Sequence, residues 1–214
     1  MKAIRRILIS AAVATAACVI ASAQGQGGGA ARGGGRGPAA PRLVFTVTSS
    51  AWQDGGEVPM HNAFRGDNKS PDFQFHWMLG TNEASAPDTL KTYAVIFHDI
   101  ENSTNKTTAD TLHWAAFNIP GTAKELPAGL GPGDLSDGTR NGPGIASARP
   151  GGQPAYFGPG AGPGPFHHYV FEFYALDTKL DLPANTSRED LMKAMDGHVI
   201  GKAAYVGRCH GPAQ

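Results

Sequence analysis

The chain has 214 residues, and its 18 lysines and arginines balance its 18 aspartates and glutamates, so the formal net charge is zero. A chain without excess positive charge lacks the basic footprint of a nucleic-acid-binding protein, so we expect no nucleic-acid partner. The length suits one domain of ordinary size.

The first 23 residues have the pattern of a secretory signal peptide. Three basic residues precede an apolar run at residues 7–20, and Ala21-Ser22-Ala23 forms an A-x-A cleavage site. Cleavage after Ala23 predicts a periplasmic or secreted protein with 15 basic and 18 acidic residues, or a charge of about −3. Lipid attachment at Cys18 is the alternative. Otherwise Cys209 alone remains, and no intramolecular disulfide is possible.

Residues 24–42 contain only Gly, Ala, Arg, Pro and Gln. Such a segment buries too little apolar surface to offset its ordering entropy, so we interpret it as a disordered linker. The folded domain is predicted to span residues 43–210. No later segment approaches the roughly 20 apolar residues that a transmembrane helix needs.

Six segments of the domain are predicted to be β-strands. Four of them alternate apolar and polar residues or form short apolar runs rich in β-branched and aromatic residues, at 43–49, 73–77, 92–98 and 112–118. Two more follow at 170–176 and 198–206. One helix is predicted between these last two, because Thr186 and Glu189 form a capping box and Gly197 suits its end. The order of elements favours a mainly antiparallel β domain.

Residues 124–165 are rich in glycine and proline and have hardly any periodicity, which predicts a loop of about forty residues. Loops of this length are uncommon in compact domains and are often functional. The loop leads directly into His167 and His168, whose side chains point to opposite faces of the following strand.

Few residues show a local catalytic or metal-binding pattern. On spacing alone, Asp99 at the end of a strand is expected to bond loop amides, and His113 to be a satisfied core or rim residue. No HExxH, CxxC, GxSxG or GxxxxGK[ST] motif is present, so neither a metal nor a cofactor is predicted, and no class of enzyme is indicated.

Several segments together resemble the phosphatidylethanolamine-binding protein family, and within it the bacterial Raf-kinase-inhibitor-like branch. The segments are Asp99 after YAVIFH, His113-Trp114 before AAFNIPG, LPAGL at 126–130, Tyr156-Phe157-Gly158-Pro159, His167-His168-Tyr169-Val170-Phe171 and Gly197-His198-Val199. The resemblance extends from about Ser70 to Gly207. It implies an antiparallel β-sandwich of a large central sheet and a smaller one, with few helices.

The resemblance also implies a small cavity that binds anions such as phosphate or a phospholipid headgroup. The implied ligand-binding residues are Asp99, His113, Gly158, Pro159, His167 and Tyr169. The usual Asp-Pro-Asp-Ala-Pro and His-Arg-Tyr are here Asp99-Ile100-Glu101-Asn102-Ser103 and His167-His168-Tyr169. Because a carboxylate repels an anion, Asp99 is expected to hold His113 or His167 in a donating tautomer, or to be protonated itself.

The sequence therefore predicts an exported binding module without catalytic residues. The predicted function is to bind a lipid or metabolite, or to dock on a partner protein as an inhibitor. The rival hypothesis is an enzyme that uses the aspartate and histidines for acid–base or hydrolytic chemistry.

Overall fold

The computed structural model describes residues 41–102 and 106–211. The predicted signal peptide lies outside the described residues, as does all of the predicted linker except its last two residues. The strands are β1 (Leu43–Thr48), β2 (Gly56–Glu57), β3 (Phe73–Leu79), β4 (Asn82–Ala84), β5 (Thr92–Asp99), β6 (Thr111–Pro120), β7 (Glu125–Leu126), β8 (Arg140–Gly144), β9 (His167–Leu176) and β10 (Val199–Cys209). The helices are α1 (Ile145–Ala148) and α2 (Arg188–Met195), and a 3-10 turn spans Met60–Asn62.

The strands form two sheets. The smaller sheet has the order β1-β3-β4, with β7 also paired to β3, and the larger sheet has the order β2-β10-β9-β5-β6-β8. All pairings between these strands are antiparallel except that of β2 with β10. This arrangement confirms the predicted fold class, an antiparallel sandwich of a large and a small sheet with few helices.

Aromatic side chains fill the space between the two sheets. Phe73 of the smaller sheet packs edge to face on Phe173 of the larger sheet, with ring centroids 4.8 Å apart. Phe97 and Phe171, on neighbouring strands of the larger sheet, stack at 3.9 Å. All four side chains are fully buried. Such pairs add about 0.5–1.5 kcal/mol each beyond the burial of their area.

Helix α2 covers the other face of the larger sheet. Its buried residues Leu191 and Met195 share a core cluster with Ile96, Phe117 and Leu176 of the sheet. Because β5 is thus covered on both faces, all eight of its side chains are buried, and a continuous apolar run is what such a strand requires. No helix of the described residues is long and apolar enough to cross a membrane.

Two predictions about local structure were wrong in detail. The predicted loop at 124–165 contains β8, an edge strand paired with β6, which its sequence RNGPG does not reveal because it has no apolar alternation. The cap of α2 is Ser187 instead of Thr186. The Ser187 hydroxyl accepts from the Asp190 amide at 3.0 Å, so the helix begins one residue later than the capping-box pattern indicates.

Candidate functional site

A cavity of about 340 Å³ lies where the end of β5 and the starts of β6 and β9 meet. Antiparallel pairing brings these three strand ends to one edge of the larger sheet, and it sets Asp99 directly opposite Tyr169. Asp99, His113, His167 and Tyr169 all line the cavity. Four of the six ligand-binding residues implied by the family resemblance are therefore close together.

His113 reaches the cavity because of a β-bulge. In the pairing of β5 with β6, Phe97 is opposite Trp114 and His98 is opposite Leu112, so His113 is an extra residue without a partner. An extra residue in one strand re-aims the side chains beside it. As a result His113 and Trp114, although adjacent, both lie on the inner side of the sheet, where Trp114 belongs to the aromatic core and His113 to the cavity wall.

The hydrogen bond of His113 fixes its tautomer. Its Nδ1 lies 3.0 Å from the Phe157 carbonyl oxygen, which can only accept, so Nδ1 carries the proton. When the ring is neutral, Nε2 then has only a lone pair. Burial lowers the pKa of His113 below 6.5, although the Phe157 carbonyl and the charge of Asp99 act in the opposite direction. His113 is therefore a neutral acceptor at pH 7.

The Asp99 carboxyl group is held in place by its own turn. Its side chain is 2% exposed, and Oδ1 accepts from the backbone amides of Glu101 and Asn102, each at 3.1 Å. His167 Nδ1 lies 2.9 Å from Oδ2 and 3.1 Å from Oδ1. Both expected roles of Asp99 are thus combined, since it bonds loop amides and also orients a histidine.

The contact with Asp99 also sets which ring nitrogen of His167 faces the cavity. Asp99 orients His167 by accepting from Nδ1, which leaves Nε2 of the neutral His167 ring as an acceptor, as in His113. Tyr169 adds a hydroxyl that accepts from the Gly160 amide at 3.3 Å. Burial and the negative charge of Asp99 raise the pKa of Tyr169, so this hydroxyl stays protonated at neutral pH.

Gly158 and Pro159 support the cavity without lining it. The Gly158 amide donates to Asn68 Oδ1 at 2.8 Å, and the Pro159 carbonyl accepts from the Phe64 amide at 2.9 Å. A Cβ at Gly158 would lie 2.3 Å from the Asn62 carbonyl oxygen, so only glycine permits this close approach. Pro159 lines a separate small hollow instead.

Cys209, the last residue of β10, also lines that hollow. Its side chain is a buried free thiol, and burial raises its pKa. A protonated, buried thiol is a poor nucleophile.

Two residues that depart from the family pattern, Ile100 and His168, make contacts at the edge of the cavity. The Ile100 amide donates to the His168 carbonyl at 3.3 Å, a bond that a proline at position 100 could not make. His168 pairs with Glu101 at 2.6 Å and does not line the cavity. The two adjacent histidines thus have different partners, as strand alternation predicts.

Sequence reasoning missed the outer wall of the cavity, which includes Phe64, Ile145, Phe157 and Arg149. The Phe64 and Phe157 rings stack at 4.4 Å, and the Arg149 guanidinium lies 4.4 Å from the centre of the Phe157 ring. The only signal in the sequence was an isolated arginine in a long segment with few charges.

One set of side chains has the spacing of metal ligands. Ligand atoms of Asp99, Glu101 and His167 lie within 4.8 Å of one another. Each of them already has a hydrogen-bond partner in the protein, since Asp99 pairs with His167 and Glu101 with His168. A cation would have to compete with these bonds.

The fold and the cavity together define a class of antiparallel β-sandwiches in which an aspartate, two histidines and a tyrosine line a cavity at the strand ends. The chain belongs to the phosphatidylethanolamine-binding protein family, whose model matches residues 48–210. This confirms the resemblance drawn from the sequence.

Several known proteins are similar to this chain. A UPF0098 protein of Methanothermobacter thermautotrophicus is 34% identical over 164 residues, which cover 76% of this chain and 97% of the relative. A UPF0098 protein of Pyrococcus horikoshii is 37% identical over 125 residues, which cover 56% of this chain and 58% of the relative. The structure of E. coli YbcL, described as a member of the mammalian family, has a TM-score of 0.63 at 24% identity and covers 79% of this chain and 99% of its own. The likeness to YbcL shows the fold alone.

Proposed function

We propose that this chain is a non-enzymatic binding protein whose cavity takes a small anion, either phosphate or a phosphate-bearing headgroup. The observation that carries the proposal is the convergence of Asp99, His113, His167 and Tyr169, from three strands, on one cavity of about 340 Å³. Such a volume is in the range of small-ligand sites. The proposal includes export, with cleavage after Ala23. Docking on a partner protein is a possible additional function.

The hydrogen bonds around the cavity favour ligand binding over catalysis. The Nδ1 atoms of His113 and His167 are fixed by a backbone carbonyl and by a carboxylate, so the rings are oriented without being free to turn. The hydroxyl of Tyr169, with its raised pKa, is a poor nucleophile at neutral pH. These features describe a preorganised receptor for a ligand that brings its own charge.

The protons in this site make binding sensitive to pH. A phosphate oxygen can bond His113 Nε2 only if a proton lies between them, either on the ring or on the phosphate. Raising the pH removes that proton, so phosphate affinity should fall as the pH rises through the range near 6.5 and above. Binding through a metal would show the opposite trend, because metal ligands must lose protons.

Titration calorimetry with phosphate tests the proposal. His113→Ala and His167→Ala should each weaken binding roughly ten- to hundredfold, which corresponds to about 1.5–3 kcal/mol for a hydrogen bond to a charged group. His168→Ala is the matched control and should bind as the wild type does, because its ring pairs with Glu101 outside the cavity. Equal losses at His167 and His168, or binding only with added zinc, would refute the assignment.

The rival function is an acid–base enzyme. The observation in its favour is the Asp99–His167 pair, because a carboxylate that orients an imidazole is a recurring part of general-base catalysis. Purified protein should turn over neither phosphoesters nor peptides if the binding proposal holds. Turnover that disappears in His167→Ala but persists in His168→Ala would establish the enzyme instead.

A further inference from the structure

The charges that line the cavity do not by themselves explain why an anion would enter it. Asp99 is a carboxylate that accepts from His167 Nδ1, and His113 is neutral at pH 7 with a lone pair at Nε2. These groups offer an anion no permanent positive charge. Among the described residues that line the cavity, one carries a permanent positive charge, and that residue is Arg149.

Arg149 is placed by a short helix and by two aromatic rings. It directly follows α1, and its carbonyl accepts from the Gly152 amide at 2.8 Å, which closes a turn. The guanidinium lies 4.4 Å from the centre of the Phe157 ring and 5.3 Å from that of Phe64. A guanidinium packed on an aromatic ring is oriented while its N–H groups remain available to an oxyanion.

The charge of Arg149 is not used elsewhere in the described part of the chain. Arg140 pairs with Asp134 and Arg188 pairs with Asp110, whereas Arg149 has no ion-pair partner among the described residues. Phe157 connects this cation to the inner end of the cavity, because its ring lies against Arg149 and its carbonyl accepts from His113 Nδ1.

We propose that Arg149 is the specificity-determining residue of the cavity and that the ligand is a phosphomonoester, with its charged oxygens at Arg149 and its P–OH donated to Nε2 of His113. This inference rests on the proposed function and narrows it. A monoester loses its last proton near pH 6, so most of it carries a P–OH below that pH and about a tenth still does at pH 7. A phosphodiester has no such proton, and it would leave the His113 lone pair facing an oxygen lone pair.

The chemistry is the same whether the monoester is a small metabolite or the headgroup of a lipid. Calorimetry at pH 5.5 with methyl phosphate and dimethyl phosphate isolates the P–OH, since both probes are then mainly monoanions and differ by one methyl group. Methyl phosphate should bind at least tenfold more tightly than dimethyl phosphate. Vesicles that contain a monoester lipid, tested against soluble methyl phosphate, then distinguish the two sources.

Arg149→Gln tests the cation. It should weaken methyl phosphate binding roughly ten- to hundredfold, the usual loss for a charged hydrogen bond. Arg208→Gln is the matched control, because the Arg208 guanidinium also lies on an aromatic ring, 5.1 Å from the centre of Phe166, but outside the cavity. Its affinity should stay within twofold of the wild type. Both arginines are exposed, so both variants should fold, and thermal melting checks this.

The possible failures are distinguishable. If the wild type binds neither probe, the proposed function fails. If the wild type binds methyl phosphate and His113→Ala does not, but Arg149→Gln binds normally, the role of Arg149 is overturned while the proposed function stands. If dimethyl phosphate binds as tightly as methyl phosphate, the preference for a monoester is overturned.

Discussion

Two adjacent residues of β5 form histidine–carboxylate pairs on opposite faces of the larger sheet, and the pairs have different consequences. Asp99 points inward and pairs with His167 beside the cavity, at 2.9 Å. His98 points outward and pairs with Asp110, at 2.5 Å. The Asp110 carboxylate also accepts from the Arg188 guanidinium of α2. The outer pair therefore ties the helix to the sheet, whereas the inner pair forms part of a cavity wall.

The difference lies in what covers each pair. The outer His98 side chain is 9% exposed, and its Nε2 lies 3.7 Å from a carboxylate oxygen of Glu172, so protein surrounds it. The His167 side chain is 32% exposed and faces the cavity. A histidine and an aspartate thus stabilise the contact between a helix and the sheet on one face. On the other face, the same two residue types line a candidate binding cavity. Residue identity alone does not distinguish the two roles.

Removing the carboxylate on each face is the strongest test of this comparison. Asp110→Ala should destabilise the fold by roughly 2–3 kcal/mol, because His98 and Arg188 lose their shared acceptor. Its affinity for phosphate should stay within twofold of the wild type. Asp99→Ala should destabilise the fold at least as much, since two amides and His167 lose their acceptor, and it should also weaken binding at least tenfold.

Urea denaturation and calorimetry on the same samples separate these two effects. Asp134→Ala is the control for stability, because its pair with Arg140 is exposed and should contribute less than about 1 kcal/mol. A folded Asp110→Ala variant that fails to bind phosphate would show that the outer pair also serves the site.

The strands were largely predictable from the sequence, because burial on one face imposes a period of two. In β3, Phe73, Phe75 and Trp77 are buried while the residues between them are partly exposed, which is the alternation that the sequence shows. The run at β5 was predictable for a different reason. Because β5 is buried on both faces, its sequence is a nearly continuous apolar segment.

The position of His113 could not be derived from the strand pattern. Regular alternation would have turned His113 away from the face that holds Trp114, and only the bulge opposite Phe97 and His98 brings both to the inner side. Bulges depend on pairing between strands distant in sequence, which one strand does not encode. Only the family resemblance pointed to His113.

The outer wall was less predictable still. Arg149 becomes part of the site because β8 pairs with β6 and α1 follows β8 directly. Neither element has a recognisable pattern within the glycine- and proline-rich segment. Arg149 is therefore the residue whose role most needs the three-dimensional structure.

The stability of the fold should depend on pH through the protonation of His113. Burial lowers the pKa of His113 below 6.5, so the unfolded chain binds a proton at this position more readily than the folded protein does. The stability that His113 contributes in its neutral form is present above pH 6.5. It should be lost as the pH falls from 6.5 through the lowered pKa of the folded state.

His113→Gln removes this titration while keeping a side-chain donor for the Phe157 carbonyl. Between pH 7.5 and pH 5, the free energy of unfolding should fall less in this variant than in the wild type, measured by urea denaturation at each pH. Parallel curves for the two proteins would show that His113 protonation is not linked to folding.

The smallest effect is expected at a third histidine–carboxylate pair, which lies at the edge of the cavity without lining it and is exposed to solvent. His168 and Glu101 lie 2.6 Å apart, but their side chains are 44% and 40% exposed, and such pairs contribute about 0–1 kcal/mol. His168→Ala should therefore lower the free energy of unfolding by less than about 1 kcal/mol, and 1 M salt should reduce even that difference. A loss as large as that of Asp110→Ala would mean that a short contact distance, and not cover by other elements, decides which pair supports the fold.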